Sequence, residues 1–112
     1  MKPLPLHWRP AALQDVEALA LHYAGEGGAA LGLKFIAAVE AATALIAEHP
    51  QSGSRRHAFL FPDLPAPLRF HPLQHFGRVL VYYLALPGQV QIIRVWHAAR
   101  GLEALLEEAS KE

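Results

Sequence analysis

The arginines of this sequence are the side chains whose type and distribution first indicate chemistry. Residues 51–100 contain one acidic residue, Asp63, and no lysine, so all their basic residues are arginines. These are Arg55, Arg56, Arg69, Arg78, Arg94 and Arg100. Guanidinium groups are suited to pairing with carboxylates and phosphates. The chain as a whole has zero formal charge, which argues against binding nucleic acid by bulk electrostatics. The sequence therefore predicts one basic region on an otherwise acidic molecule.

Two histidines, His71 and His97, are the candidates for proton transfer, because imidazole titrates near neutral pH. His71 and His75 are four residues apart, a spacing that joins two metal ligands on a helix but not in an extended run through Pro72. The chain has no cysteine, which excludes thiolate metal sites and cysteine nucleophiles. No serine lies in a nucleophile elbow and no glycine-rich phosphate loop is present. We therefore predict no metal site and no cofactor.

The composition predicts a single domain over residues 1–112. Hydrophobic residues make up 53% and charged residues 18% of the chain, which allows a core and excludes the disordered class. The absence of cysteine permits a reducing compartment, and we expect a cytoplasmic protein without a signal peptide. The longest stretch without Lys, Arg, Asp or Glu, residues 79–93, is broken by Pro87 and Gly88. We therefore expect no membrane span and no membrane partner.

The first half of the chain predicts a strand and a helical hairpin. Residues 4–9 form a short aromatic-containing run that ends before Pro10, which is suited to the first position of a helix. Apolar residues at three-to-four spacing predict one helix from Pro10 to about Glu26 and a second from about Ala29 to Glu48. The pair Gly27-Gly28 separates the two helices.

The second half predicts a loop, three strands and a short helix. Residues 49–67 have loop composition, with a possible short extended piece at 58–61. Residues 68–74, 77–86 and 89–97 are extended runs that predict an antiparallel meander, and apolar residues near 102–106 predict a short final helix. The predicted fold is therefore α+β, with the helical hairpin on one face of the sheet and the other face open to a partner.

Two arginines, Arg69 and Arg94, fall within predicted strands among apolar neighbours. A cation in that position must pair with an acid or face an open surface. The paired alternative uses Asp63 or a glutamate of the tail, and the open alternative places both arginines on a partner-binding face. Strand alternation puts Arg94 on the same face as Trp96, a cation beside an aromatic anchor. His97 points the opposite way, which favours a structural hydrogen bond.

Several short motifs, in order along nearly the whole chain, resemble the RelE/ParE toxin superfamily. The longest is Arg94-Val95-Trp96-His97-Ala98-Ala99-Arg100, which is similar to the superfamily pattern Arg-Val-x-His-x-x-Arg. The other matching pieces are Arg9-Pro10-Ala11-Ala12 with Asp15, Phe35, His49-Pro50 with Gly53, Leu68-Arg69 and Val81-Tyr82-Tyr83. The α+β fold that this resemblance implies agrees with the fold predicted from periodicity.

The resemblance implies the toxin of a type II toxin-antitoxin module, neutralised by a cognate antitoxin that wraps across it. ParE-like members are described as inhibitors of DNA gyrase that perform no chemistry of their own. RelE-like members are ribosome-dependent endonucleases that cut mRNA with lysines, arginines and a late tyrosine. The expected partners are therefore an antitoxin with gyrase, or an antitoxin with the ribosome and mRNA.

Missing residues favour the ParE-like alternative. RNA cleavage through the 2′-hydroxyl needs a proton acceptor, a proton donor and cations for the phosphate. Residues 51–100 lack lysine, and Gly101 to Leu105 lack the late tyrosine, although His97 or His71 could replace the missing acid or base. We interpret the chain as a ParE-like toxin that acts by binding, with two alternatives. One is a RelE-type mRNA endonuclease, and the other is a toxin-fold protein of reduced potency that acts only as a binding partner, in a homodimer or a toxin-antitoxin hetero-oligomer.

The predicted contact residues are Arg69, Arg94, Trp96 and Arg100. In this interpretation they lie on the open sheet face and the last strand, where antitoxin and target compete for them. The sequence departs from the superfamily pattern at Gly101, where an aspartate is usual. That acid normally caps a helix or orients the arginine before it.

Overall fold

The computed structural model describes residues 2–105. Residue 106 of the predicted final helix lies outside them. The regular elements are β1 (Leu6–Trp8), α1 (Pro10–Gly27), α2 (Ala29–Glu48), β2 (Arg69–Leu73), β3 (Phe76–Leu86) and β4 (Gln89–His97). Two 3₁₀ turns span Ala58–Leu60 and Ala98–Arg100, and residues 102–105 are helical. The predicted order of strand, helical hairpin, three strands and short helix is confirmed.

The four strands form one sheet in the order β1-β4-β3-β2. Strands β2, β3 and β4 form the predicted antiparallel meander, and β1 pairs in parallel with β4, with Leu6 opposite Val90 and Trp8 opposite Ile92. An irregularity between Tyr82 and Tyr83 leaves Ile93 without an opposite residue in β3. β3 and β4 are therefore the central strands, which explains why both of their faces are apolar.

The helical hairpin packs on one face of the sheet. Helix α1 ends where the Gly28 N–H donates to the Ala24 carbonyl, and α2 places one apolar stripe against the strands. The first cluster, between hairpin and sheet, contains Ala12, Phe35, Val39, Ala42, Ile46, Leu73, Val79, Val81, Tyr83, Val90, Ile92 and Val95. This burial of apolar surface is the main force that holds the hairpin to the sheet.

The opposite face of the sheet is covered, so the prediction of an open face is wrong. A second cluster of buried residues lies there: Leu68, Tyr82, Leu84, Ile93, Trp96 and Leu105. Phe61 and Leu64 of the long loop and Leu102 of the last turn pack against it. The loop and the chain after β4 therefore close the face, which periodicity within the strands does not reveal.

The loop segment at 58–61 also differs from its prediction, because Ala58–Leu60 is a 3₁₀ turn and not an extended piece. The Phe61 N–H donates to the Ala58 carbonyl at 3.1 Å and closes the turn. The side chain of Phe59 is left pointing into solvent, with 74% of its surface exposed.

Helix α2 is long and apolar enough, by length and composition, to cross a membrane, with a mean hydropathy of 1.8. The same helix is the core helix of this domain, since Phe35, Val39 and Ile46 are buried against the sheet. Its composition is thus also that expected of a buried helix in a small α+β fold.

Candidate functional site

The pair formed by Asp15 and Arg94 lies at the point where β1 ends beside β4. The last contact between these strands is the Arg9 N–H to the Ile92 carbonyl. Beyond it, Asp15 of α1 accepts from the Val95 N–H at 3.0 Å. Its two carboxylate oxygens also accept from Arg94 Nε and Nη2, each at 2.7 Å. Beyond the end of β1, the Asp15 side chain of α1 therefore accepts a backbone hydrogen bond from β4 in place of a strand.

The geometry corrects the prediction for Arg94. Its side chain is not on an open surface, because only 5% of the residue is exposed, and its partner is Asp15 rather than Asp63. The tail glutamates beyond Leu105 that we considered as partners lie outside the described residues. Both carboxylate oxygens of the buried Asp15 are satisfied, so this pair meets the condition that a buried charge be paired and hydrogen-bonded.

Trp96 and Arg100 form a stacked pair next to this ion pair. The guanidinium carbon of Arg100 lies 3.9 Å from the centre of the Trp96 ring, and that of Arg94 lies 4.7 Å from it. Trp96 is 1% exposed, and its Nε1–H donates to the Gly101 carbonyl at 3.1 Å. Trp96 is thus a core residue rather than a free interface anchor, whereas Arg100 is exposed on the surface beside it.

Gly101 stands where the superfamily pattern usually has aspartate, and it hydrogen-bonds to Trp96 of the stacked pair. Its φ of 77° lies in the left-handed region that glycine adopts without strain. Its N–H donates to the Ala98 carbonyl and closes the 3₁₀ turn, while its carbonyl accepts from Trp96. In this chain, therefore, the backbone groups of residue 101 close the turn after β4, at the position where the superfamily pattern usually has an acidic side chain.

Arg69 is engaged by the loop that follows α2. Its Nη1 donates to the carbonyls of Gln51 and Gly53 at 2.9 and 3.0 Å, and its Nη2 donates to Gln51 Oε1 at 2.6 Å. No ion pair joins it to Asp63 within the part of the chain that is described. Arg69 therefore fixes the path of residues 51–53 while keeping part of its surface accessible.

Tyr83 of β3 hydrogen-bonds to the same loop, residues 50–53. Its hydroxyl accepts from the Gly53 N–H at 2.8 Å and donates to the Pro50 carbonyl at 2.9 Å. A Cβ on residue 53 would lie 2.7 Å from Tyr83 Cε1, so only glycine fits there. Burial raises the pKa of Tyr83, an effect that the hydrogen bond from Gly53 and the charge of Arg69 oppose. The hydroxyl is thus a neutral structural group at physiological pH.

Tyr82 and His57 are paired on the other face of the sheet. The Tyr82 hydroxyl lies 2.9 Å from His57 Nδ1, and burial raises the pKa of Tyr82 to about 12. Burial and, to a smaller extent, the charge of Arg56 lower the pKa of His57. Both effects favour the neutral forms, so Tyr82 donates to a neutral imidazole.

The two histidines considered for proton transfer are separated. His97 Nδ1 accepts from the Ala99 N–H at 3.1 Å and caps the 3₁₀ turn. His71 lies in β2, opposite Val81, and its Nδ1 is 3.3 Å from the Pro72 carbonyl. In residues 2–105, no group of three or more His, Asp or Glu side chains is arranged to hold a metal ion.

An apolar groove of about 500 Å³ lies between the two helices, beside the end of β1. Leu13 and Leu21 of α1 line it and are 53% and 69% exposed. Two carboxylates, Glu17 and Glu40, stand in the same lining. The groove has the character of a site for an amphipathic segment that carries basic residues.

Sequence reasoning missed two features of this site. In the sequence, Asp15 contributes only to one of the pieces that resemble the superfamily, and the sole signal for its role is an acid on the otherwise apolar side of an amphipathic helix. The groove was missed because Leu13 reads as a core position at helical spacing. In the structure Leu13 and Leu21 are instead 53% and 69% exposed.

A family model describing the "ParE toxin of type II toxin-antitoxin system, parDE" matches residues 6–102 of this chain. A solved structure described as "Chromosomal ParDE TA system from P. aeruginosa" superposes with a TM-score of 0.68 at 19% sequence identity. The match covers 84% of this chain and 95% of that one, which shows that the two share a fold. No curated protein matches this sequence.

Proposed function

This chain belongs to the ParE toxin family of type II toxin-antitoxin systems, and we propose that it acts by binding and inhibiting DNA gyrase in the cytoplasm. The observation that carries the proposal is the exposed Arg100, stacked on the buried Trp96 beside the Asp15–Arg94 pair. A cation held on an aromatic ring is ordered before it meets a partner, so little conformational entropy is lost on binding.

The state of the hydroxyl and imidazole groups supports binding over RNA cleavage. General acid-base catalysis needs groups that gain and lose protons near neutral pH. Tyr83 is occupied by the loop, the pKa of Tyr82 is far above that range, and His97 accepts a backbone hydrogen bond. Of the two histidines considered for proton transfer, the other is His71, whose Nδ1 lies 3.3 Å from the adjacent Pro72 carbonyl.

The four residues that the sequence predicted as contacts have three roles in this proposal. Arg100 meets the target directly, because it is exposed. Arg94 and Trp96 lie behind it and hold its position, and Arg69 orders the loop after α2. The contact surface is therefore the rim of the second cluster, not a bare sheet face.

Replacing Arg100 with alanine is expected to weaken inhibition of gyrase supercoiling by about tenfold, the loss typical of an interface hot spot. The measurement is supercoiling of relaxed plasmid by purified gyrase as the toxin is titrated. Lys34→Ala, which removes an exposed cation from α2, is the matched control and should leave inhibition unchanged.

Two results would contradict the gyrase proposal. Loss of mRNA in a translating ribosome reaction without any effect on supercoiling would identify the RelE-type endonuclease. Folded protein that affects neither reaction and does not arrest growth would leave the alternative of a binding partner of reduced potency.

We further propose that the cognate antitoxin places an amphipathic segment in the groove between α1 and α2. The leucines offer apolar surface that a partner can bury, and Glu17 and Glu40 favour a segment with Lys or Arg at its flanks. The groove lies on the hairpin side of the sheet and Arg100 lies beside the second cluster. The two binding activities should therefore be separable by mutation.

Leu13→Asp is expected to lower antitoxin affinity by about tenfold or more, because it places a carboxylate in the apolar groove. The measurement is titration of the toxin with antitoxin by calorimetry. Leu33→Asp is the matched control, since Leu33 is 67% exposed on α2 and does not line the groove. Equal antitoxin affinity of both variants and the native toxin would exclude the groove.

A further inference from the structure

Phe59 is the most exposed large hydrophobic side chain among residues 2–105, with 74% of its surface accessible. It stands on the 3₁₀ turn Ala58–Leu60, within the long loop between α2 and β2. An aromatic ring held in water gains free energy when a partner buries it, and aromatic residues are enriched in protein interfaces.

The segment that precedes Phe59 is anchored to the sheet. Ser54 and Phe70 exchange two backbone hydrogen bonds, at 2.9 and 3.0 Å. His57 bonds to the Tyr82 hydroxyl, and its ring stacks on Phe70 with centroids 4.7 Å apart and planes 23° apart. The residues that lead into the turn with Phe59 are thus held against the sheet. This order before binding lowers the conformational entropy lost when a partner binds.

An apolar groove of about 410 Å³ adjoins Phe59 on its C-terminal side. Phe61 and Leu64 line it and are anchored in the second cluster. Three prolines, Pro62, Pro65 and Pro67, restrict the backbone of the same segment. The Phe59 ring and the apolar side chains that line the groove form one surface, which we call the Phe59 surface.

The loop that carries this surface has a net positive charge, with two arginines on the N-terminal side of Phe59 and one acid, Asp63, between the lining residues Pro62 and Leu64. Arg55 and Arg56 are both exposed, and neither forms an ion pair with a described residue. Asp63 is the only acid between Glu48 and the end of β2. The Arg55 carbonyl accepts from the Ala58 N–H of the turn, and exposed cations next to an apolar patch in the chain match a partner whose carboxylates surround an apolar recess.

We infer that the Phe59 surface docks an acidic protein surface on the toxin's target, with Phe59 entering an apolar recess and Arg55 and Arg56 pairing with carboxylates at its rim. This inference deepens the proposed function and rests on it. A protein is favoured over nucleic acid because the patch is mainly apolar, whereas nucleic-acid interfaces are polar and strongly basic.

The test compares Phe59→Ala with Leu33→Ala, since both remove a large exposed apolar side chain. Growth arrest on induction and inhibition of purified gyrase are measured for both variants and for the native toxin. Phe59→Ala is expected to need about tenfold more toxin for either effect, and Leu33→Ala to match the native toxin. Equal thermal unfolding midpoints and antitoxin affinities would show that both variants are folded.

Each outcome decides the inference. If Phe59→Ala is as potent as the native toxin, the docking surface is wrong. If the native toxin arrests growth without inhibiting gyrase and Phe59→Ala does not arrest growth, the surface is supported and gyrase is excluded. A native toxin that leaves growth unaffected overturns both proposals. Binding of a single-stranded RNA oligonucleotide that Phe59→Ala abolishes would overturn the assignment to a protein partner.

Discussion

Replacing Asp15 with alanine is expected to lower the free energy of unfolding by about 3–5 kcal/mol, because it removes the carboxylate that accepts two hydrogen bonds from the buried guanidinium of Arg94. The same change removes the acceptor of the buried Val95 N–H. Stability is measured by urea denaturation at constant ionic strength. A loss of this size is a large share of the total stability of an ordinary domain.

Asp63→Ala is the matched control for this experiment. Asp63 is the only acid that the sequence has within the arginine-rich residues 51–100, but it is exposed in the loop. Its removal is expected to change stability by no more than about 0.5 kcal/mol. Equal losses in the two variants would mean that Arg94 does not depend on Asp15.

The elements of this fold could be predicted from the sequence because each has a local signal. The two helices follow from apolar spacing and the intervening glycine pair, and α2 spans Ala29–Glu48 as predicted. Strand β4, at Gln89–His97, also has its predicted bounds. Alternation and turn residues carry this information within a few positions of each strand.

Long-range partners could not be predicted in the same way. Asp15 and Arg94 are 79 positions apart in the chain, and nothing near either residue specifies the other. The parallel pairing of β1 with β4 likewise depends on where the hairpin places the N-terminal strand. A charged residue within a strand therefore predicts that a partner exists, but only the tertiary structure identifies it.

The coverage of the second sheet face was missed for a related reason. The apolar residues on both faces of β3 and β4 predict burial, but not what supplies it. Phe61 and Leu64 lie in a proline-rich loop whose composition is that of a surface segment. An apolar residue in such a loop can cover a core or stand in solvent. In this chain Leu64 packs on the second cluster, and Phe59 stands in solvent.

Replacing Trp96 with alanine is also expected to lower the free energy of unfolding by about 3–5 kcal/mol, the cost of removing a large buried aromatic side chain. The indole is 1% exposed and is the largest fully buried side chain in the described part of the chain. Trp96→Phe keeps a ring but loses the Nε1–H bond to Gly101, so a smaller loss, about 1–2 kcal/mol, is expected. Urea denaturation of both variants tests the prediction.

The alternative, in which Trp96 is an interface anchor, makes the opposite prediction for stability. An interface anchor can be truncated with little effect on the free protein, and the loss then appears only on binding. Arg100→Ala separates the two roles, because it removes the exposed partner of the ring and should cost about 1 kcal/mol or less in stability. If Trp96→Ala unfolds at the same urea concentration as Arg100→Ala, the indole is not holding the end of β4. In that case, stacking on Trp96 would not explain how the Arg100 side chain is held in position for binding its target.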